Sequence, residues 1–294
     1  MIIVKLMGGL GNQMFQYAAA KTLAEHHRVP MKVDLSFLND RSAKENFTFR
    51  EYELDCFDTS IDIATKNELS TFNRKNRFIG FMKSLIGIST PMHYYEQSFY
   101  YNESFYELPN EILLEGYFQS EKYFIQIRSL LLENFKWRSP ATGFNLSLIE
   151  NIKSTNSVSL HIRRGDFVEN KVINSIHGLC DINYYQRAIT HVNSIMQNTT
   201  FFIFSDDINW AKQELGMTSN VIYIDHNIGK ESYWDMRLMS YCKHNIIANS
   251  SFSWWGAWLN TNKSKIVIAP KIWFNNYNLN LQTENLIPHE WVRI

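Results

Sequence analysis

Residues 2–35, IIVKLMGGLGNQMFQYAAAKTLAEHHRVPMKVDL, contain the pattern that decides the fold. Ile2 to Leu6 is a short β-branched run, Gly8-Gly9-Leu10-Gly11 follows as a turn, and Met14 to His27 carries apolar residues at helical spacing. A second strand candidate, Met31 to Leu35, comes next. This strand-helix-strand order is the repeating unit of a parallel sheet, so it predicts an α/β fold.

The remainder of the first half is less regular. Residues 36–110 alternate polar and aromatic pieces that predict no strand order, with one candidate helix between Ile63 and Met82. Glu111 to Phe118 predicts a further strand, and Glu121 to Phe135 an amphipathic helix that ends before Pro140.

The second half alternates regularly between short apolar runs and helical patterns. Five runs are too brief for helices and predict buried strands of a parallel sheet: Val158–Ile162, Phe201–Phe204, Val221–Ile224, Asn245–Ala248 and Ile266–Ala269. Four helical patterns lie between or beside them: Ile182–Met196, Trp210–Leu215, Tyr233–Cys242 and Phe252–Leu259. We therefore expect a second, doubly wound α/β domain.

A chain of 294 residues forms one large domain or two of middling size, and we expect two. The polar stretch from Ser139 to Thr155 is the best candidate for a boundary or a crossing helix. We place the domains at 1–150 and 151–275, and expect residues 276–294 to form a tail that packs back on the first.

Composition and charge exclude several classes of protein. The chain is 45% hydrophobic with 12 Gly and 6 Pro, which excludes collagen-like and disordered chains. Because 29 Lys and Arg balance 29 Asp and Glu, it has no overall basic field to hold a nucleic acid. Any phosphate group must be bound locally.

Cysteine usage and hydropathy bear on location. Cys56, Cys180 and Cys242 are odd in number and contain no C-x-x-C, so we expect a reducing compartment and no disulfide framework. The N-terminus lacks the pattern of a signal peptide, and no apolar run approaches the ~18 residues of a membrane span. We expect a cytoplasmic protein, and leave open an association with the inner face of the membrane.

Ligands of open parallel sheets bind at the carboxyl ends of the strands, so the residues after each run are candidates for a site. The first predicted strand of the second half leads into His161-Ile162-Arg163-Arg164-Gly165-Asp166. A guanidinium group can hold two phosphate oxygens and stays charged, so Arg163 and Arg164 predict a phosphate site. The alternative is a surface Arg–Asp pair.

Two carboxylates, Asp206 and Asp207, follow the next strand. They could accept hydrogen bonds from a ribose or a base, ligate a metal, or cap the following helix. A metal site is the weakest of these, because adjacent carboxylates in an extended segment point apart. The acid-x-acid alternation of residues 51–55 is interpreted as an exposed polar face, since no apolar strand leads into it.

The segment Asn249-Ser250-Ser251-Phe252-Ser253-Trp254-Trp255 follows a third strand and begins a helix. Its free backbone N–H groups and the positive end of the helix dipole predict a pyrophosphate site. The alternative is an ordinary serine cap with the tryptophans in the core. The nearby Arg163 favours the pyrophosphate site.

The glycine turn of the first half resembles part of a dinucleotide-binding fingerprint, with Asp34 at a suitable distance, but Met14 replaces its third glycine. Asn12 and Gln13 offer amide groups suited to sugar hydroxyls or phosphate oxygens. The alternative is a polar helix start that caps only itself.

Together these motifs resemble a bacterial member of glycosyltransferase family 11, the α-1,2-fucosyltransferases. The resemblance covers nearly the whole chain and is carried by residues 8–17 (GGLGNQMFQY), 161–166 (HIRRGD), 204–207 (FSDD) and 239–258 (MSYCKHNIIANSSFSWWGAW). It implies a GT-B architecture of two facing Rossmann-like domains with parallel sheets, an acceptor-side domain followed by a nucleotide-sugar domain. It also implies GDP-fucose as donor, a galactose-terminated glycan as acceptor, inverting transfer to O2 of the galactose, and no required metal or other cofactor.

The resemblance further implies a role for individual residues. Arg163 would contact the β-phosphate, and the pyrophosphate would lie at the helix start. The remaining contacts to the donor would come from His161, Arg164, Asp206, Asp207, Asn249, Ser250, Ser251, Phe252 and Ser253. Gly9, Asn12 and Gln13 would contact the fucose or the acceptor.

Inverting transfer also asks for a group that takes the proton of the attacking hydroxyl. Asp166 is our candidate for this base, and its alternative role is an ion pair that orients Arg163 or Arg164. Two other functions stay open: a nicotinamide-dependent oxidoreductase that uses Gly9, Gly11 and Asp34, and a non-catalytic carbohydrate-binding protein.

Overall fold

The structure is a computed structural model that describes residues 1–42, 49–72, 91–165, 168, 174–176 and 178–294. These residues form two compact units. The first contains residues 1–42, 49–72, 91–138 and 284–286, and the second contains 139–165, 168, 174–176, 178–283 and 287–294. Each unit is built on its own parallel sheet, which confirms the predicted α/β fold.

The first sheet has four parallel strands in the order β2-β1-β4-β3: β1 (Ile2–Lys5), β2 (Met31–Asp34), β3 (Met92–Tyr95) and β4 (Ile112–Glu115). The long helix α1 (Leu10–His27) connects β1 to β2, as the sequence predicts. Its alanines 18–20 are fully buried. Their small side chains let the helix pack closely against its surroundings.

Other parts of the first unit differ from the predictions. Strand β3 was not predicted, and the predicted helix Glu121–Phe135 is α-helical only in α4 (Arg128–Asn134). Two 3-10 turns precede α4, and between them Phe124 takes φ −145°, which no α-helix tolerates.

Two short helices complete the first unit: α2 (Ser36–Asn39) and α3 (Lys66–Thr71). Helix α3 lies within the predicted helix Ile63–Met82, and begins at a capping box of Thr65 and Glu68. Residues 73–82 of that prediction lie outside the described residues.

The second sheet has six parallel strands in the order β10-β9-β8-β5-β6-β7. They are β5 (Asn156–Ile162), β6 (Thr199–Ser205), β7 (Val221–Ile224), β8 (His244–Ile246), β9 (Val267–Ala269) and β10 (Val292–Arg293). Five of them, β5 to β9, confirm the strands that the apolar runs predict. The chain starts in the middle at β5, runs outward to β7, and then continues at β8 on the other side of β5.

The described residues of the second unit include six α-helices. They are α5 (Gly143–Ser154), α6 (Ile182–Ile195), α7 (Ile208–Leu215), α8 (Tyr233–Tyr241), α9 (Ser251–Leu259) and α10 (Tyr277–Leu281). Helices α6 to α9 lie where the four helical patterns predict them. Alternate residues of β6 point to opposite faces: Phe201 and Ile203 belong to one hydrophobic cluster, and Phe202 and Phe204 to another. Such strands read as unbroken apolar runs because both faces are covered.

The two units meet in sequence at Arg138 and Ser139, earlier than the expected boundary at 150. Helix α5 spans the expected boundary, and its Leu148, Ile149 and Ile152 pack in a cluster of the second unit. At the other end, strand β10 pairs with β9, so residues 287–294 belong to the second unit and only 284–286 group with the first.

Within the described part of the chain, none of the helices is both long enough and apolar enough to cross a lipid bilayer.

Candidate functional site

The second sheet has one point at which its strand order reverses, between β5 and β8. The connections leaving these two strands run to opposite sides, which opens a crevice at their carboxyl ends. In open parallel sheets this crevice is the usual ligand site. The topology therefore selects the residues after Ile162 and after Ile246 before any side chain is considered.

The registers of the strands bring the predicted clusters together. Ile162 of β5 pairs with Ser205 of β6, so Arg163 and Asp206 lie side by side just beyond the sheet. Leu160 pairs with Ile246 of β8, and continuing that register sets Arg163 level with Asn249. Three motifs that are far apart in sequence thus share one edge of the sheet.

The arginines and aspartates form an interlocked set. The guanidinium of Arg163 donates to Asp206 Oδ2 at 2.5 Å, and the backbone N–H of Arg164 donates to Asp206 Oδ1 at 2.8 Å. The Nε of Arg164 donates to Asp207 Oδ2 at 3.2 Å, and its guanidinium carbon lies 4.0 Å from the centre of the Trp210 ring. The carboxylates hold both arginines in place, while 23% of the Arg163 side chain stays exposed to a ligand.

Asp207 also caps a helix, as one of the sequence alternatives proposed. Its Oδ1 accepts from the backbone N–H of Trp210 at 3.1 Å, in the first turn of α7. One carboxylate therefore fixes the start of a helix and the Arg164 side chain together.

Gly165 lets Asp206 approach the strand end. A Cβ at this position would lie 2.6 Å from Asp206 Oδ2, which is closer than van der Waals contact permits. The next residue, Asp166, which we predicted as the base, lies outside the described residues.

The first turn of α9 has its backbone N–H groups available at the same edge. Ser250 precedes the helix in an extended conformation, and within the described structure its side chain makes no capping hydrogen bond. Serine capping, the ordinary role of such a residue, is thus not observed. The amides of Ser251, Phe252 and Ser253 and the helix dipole together suit an anion.

The rest of α9 anchors that turn. Trp254, Trp255 and Trp258 are buried, so the core role proposed for the tryptophans is observed as well. Gly256 allows α8 to come close, because a Cβ there would lie 3.0 Å from Met239 Cβ. Asn249, buried before the helix, donates to the carbonyls of Gly178 and Trp273 and so ties down the loops beside the site.

His161 is a neutral residue in this site. Burial and the charge of Arg163 lower the pKa of the imidazole to about 3, so it carries no charge near neutral pH. Its Nδ1 is buried and has no hydrogen-bond partner among the described residues, and its ring packs 5.8 Å from that of Phe252. It can offer one donor and one acceptor, but no positive charge, to a ligand.

In the first unit, the glycine turn after β1 is closed by a carboxylate from the same chain. Gly8 takes φ +75°, and the backbone N–H of Leu10, at the start of α1, donates to Glu53 Oε2 at 3.0 Å. In a dinucleotide-binding fold this end of the helix holds the pyrophosphate. The position of Glu53 therefore argues against the nicotinamide-dependent oxidoreductase, and the exposed polar face predicted for residues 51–55 is wrong at this residue.

Asn12 and Gln13 have different surroundings. Gln13 is fully buried; its amide nitrogen donates to the carbonyls of Gly8 and Glu51, and its oxygen accepts from the N–H of Glu53. Asn12 is partly exposed, and its Oδ1 accepts from Gln119 Nε2 at 2.8 Å. Gln13 thus holds the 51–53 segment, and Asn12 is the residue of the pair that is open to a ligand.

One further carboxylate at an edge, Glu96, was missed by the sequence reasoning. It directly follows β3 and accepts hydrogen bonds from backbone N–H groups after β4. A glutamate immediately after a strand is a usable signal, but β3 itself was not recognised. No group of three or more His, Cys, Asp or Glu side chains in the described ranges is arranged to hold a metal ion.

Comparison with known proteins places this geometry in context. The family model for glycosyl transferase family 11 matches residues 1–294. The chain is similar to the O-antigen biosynthesis glycosyltransferase WbnK of Escherichia coli, with 34% identity over 93% of this chain and 95% of that protein. It is equally similar, at 34% identity, to an alpha-1,2-colitosyltransferase of Escherichia coli, over 100% of this chain and 98% of the relative.

A solved structure shares the fold. Arabidopsis thaliana FUT1, crystallised as a mutant in complex with GDP, superposes with a TM-score of 0.51 at 13% identity. The match covers 90% of this chain and 69% of that one.

The neutral state of His161 predicts a pH dependence of stability. Below pH 6.5 the histidine takes up a proton in the unfolded chain but not in the folded one, so acidification towards pH 3 destabilises the fold through this residue. We expect the difference in free energy of unfolding between wild type and His161→Gln to be about 2 kcal/mol smaller at pH 5 than at pH 8. Urea denaturation at both pH values measures it, and an unchanged difference would contradict a buried neutral imidazole.

Proposed function

The chain belongs to glycosyltransferase family 11, and from this membership we propose that it transfers fucose from GDP-fucose to O2 of a terminal galactose on a glycan, with inversion at the anomeric carbon. The names of two similar proteins support the proposed donor and the proposed linkage. The GDP in the FUT1 structure suits a guanosine diphosphate donor. One of the two Escherichia coli relatives is an alpha-1,2-colitosyltransferase. Colitose is the 3-deoxy form of fucose, so the proposed linkage and sugar class agree with the name of that relative.

One observation carries the proposal: Arg163 and the first turn of α9 converge at the switch point of the second sheet. A guanidinium and a set of oriented amides are the groups that bind a diphosphate tightly. Because Asp206 already holds Arg163, little side-chain ordering is left for the moment of binding.

The same groups suit the chemistry of transfer. Glycosyl transfer passes through an oxocarbenium-like state while negative charge builds on the departing diphosphate. Fixed donors aimed at that charge lower the barrier without a metal ion. We assign Arg163 and the amides of Ser251 to Ser253 to this role, with Ser250 beside them.

Other residues of the second unit act on the donor or on the arginines. We propose that His161 and Phe252 contact the nucleotide, and that Asp206, Asp207 and Asn249 position the residues that touch it. Arg164 adds positive charge to the same edge.

In the first unit we propose that Gly9 and Asn12 contact the sugar or the acceptor, while Gln13 holds the segment beside them. Asp166 remains a predicted base or orienting residue, and the cytoplasmic location remains a prediction. A non-catalytic carbohydrate-binding protein would bind glycans equally with and without GDP, which distinguishes it from the transferase.

The donor is tested by binding and by turnover. We expect GDP and GDP-fucose, but not UDP-galactose or NAD, to stabilise the fold, by about 2.7 kcal/mol at 100-fold excess over Kd. With GDP-fucose and a panel of galactose-terminated disaccharides, mass spectrometry and NMR should show a fucosyl-α-1,2-galactose product. Turnover with GDP-colitose but not with GDP-fucose would identify colitose, and not fucose, as the transferred sugar. Stabilisation by NAD instead of GDP would overturn the proposal.

Arg163→Ala tests the leaving-group contact. We expect kcat to fall by about 10²-fold or more, since removal of one preorganised donor to developing charge costs this much. Circular dichroism and thermal unfolding should show a folded protein. Arg187→Ala, on the exposed face of α6, is the matched control and should keep the wild-type rate. Substantial remaining turnover in Arg163→Ala would refute the phosphate role.

Chelation tests the metal-independent mechanism. Because Arg163 and the α9 amides supply the stabilising charge, transfer should continue at an unchanged rate in 5 mM EDTA. Loss of activity that Mn²⁺ restores would contradict this, and Asp206 and Asp207 would then be the first ligands to examine.

A further inference from the structure

Glu96 lies at the carboxyl edge of the first sheet. It directly follows β3, whose Tyr95 pairs with Glu115, the last residue of β4. The turn after β4, residues 116–119, therefore runs beside it. This is the edge at which parallel sheets bind ligands, and it is the edge that also carries the turn after β1.

The turn after β4 is shaped around the Glu96 carboxylate. The N–H of Tyr117 donates to its Oε2 at 2.7 Å, and the N–H of Phe118 lies 3.1 Å from both oxygens. A Cβ on Gly116 would lie 2.4 Å from Glu96 Cβ, so only glycine fits there. Phe118 takes φ +52°, a left-handed conformation that costs about 1 kcal/mol for a non-glycine residue.

The same turn connects Glu96 to the proposed acceptor residue. Gln119, at its end, donates to Asn12 Oδ1 at 2.8 Å. Gln16 donates to the carbonyl of Gly116 at 3.0 Å and accepts from the N–H of Met7, the residue before the glycine turn. Glu96 and Asn12 are thus connected through the turn of residues 116–119, which hydrogen-bonds to both side chains.

The surroundings of Glu96 make its carboxylate basic. Burial raises the pKa to about 7, against the opposing effect of the two N–H donors. The titratable groups that face it are Tyr94, Tyr117 and Tyr123, whose own pKa values are raised by burial, so they stay neutral. The residue is partly exposed, although both carboxylate oxygens accept backbone hydrogen bonds. A base of this strength suits proton transfer near neutral pH.

Two other carboxyls with raised pKa values are less suited to contact an acceptor. Glu53 accepts the hydrogen bond that closes the start of α1. Asp235 lies within α8 and not at the end of a strand; burial raises its pKa to about 7, and Asn227 donates to it.

We propose that Glu96, rather than Asp166, is the catalytic base that accepts the proton of the attacking acceptor hydroxyl; this rests on the transferase function proposed above. The hydroxyl oxygen forms a bond to the anomeric carbon of the donor sugar, and the bond from that carbon to the phosphate oxygen breaks with its electron pair going to GDP. The hydroxyl proton passes to the Glu96 carboxylate, which later releases it to water.

The test compares Glu96→Gln and Glu96→Ala with Glu103→Gln, an exposed carboxylate on the neighbouring loop. We expect both Glu96 variants to bind GDP with the wild-type Kd in calorimetry and to lose about 10²- to 10⁴-fold in kcat with a galactoside acceptor. Wild-type kcat should rise with pH through about 7, and this limb should be absent from Glu96→Gln. Glu103→Gln should match the wild type.

Azide separates a base from a residue that only holds the turn. As an anionic nucleophile it has no proton to lose, so we expect it to restore donor turnover to Glu96→Ala, with a glycosyl azide as product. Wild-type activity in Glu96→Gln, or a Glu96→Ala variant that azide does not rescue, overturns the proposal. Failure of the wild type to transfer from any GDP-sugar would instead overturn the proposed function itself.

Discussion

The candidate site depends on the ion pair between Arg163 and Asp206 across two neighbouring strand ends. Two adjacent arginines at one edge repel each other, and an anionic ligand is present only part of the time. Asp206 and Asp207 supply negative charge that keeps both guanidiniums in position without a ligand. A diphosphate bound there, as we propose, would meet donors already oriented, which is the condition under which electrostatic stabilisation is most effective.

The two units use the same strand-turn-helix arrangement in opposite ways. In the first, the backbone N–H of Leu10 at the helix start after β1 donates to Glu53, so it is not available to a ligand. In the second, the start of α9 has no side-chain cap within the described residues, and its amides remain for a ligand. The difference follows from one residue, because a carboxylate reaching either helix start removes its capacity to bind an anion.

The second unit could be predicted closely because its central strands are covered on both faces and read as apolar runs, such as Phe201–Phe204. Strand β3 could not be predicted, because Met92-His93-Tyr94-Tyr95 forms the outer strand of its sheet and has no apolar pattern. Missing β3 hid Glu96, whose significance depends on the strand that precedes it. The burial of Gln13 was equally invisible, because sequence does not show which amides a loop 40 residues away will occupy.

The proposed diphosphate site is made of groups that contact the phosphates and not the sugar. In that proposal Arg163 and the α9 amides contact phosphate oxygens, whose charge is the same for every GDP-sugar, and three buried tryptophans fix the position of the helix. Preference among donors can therefore diverge in evolution while this site is left untouched. Relatives that retain the HIRRGD and SSFSWW segments can differ in the hexose they deliver, and substrate identity must be sought in the residues that surround the pyranose ring.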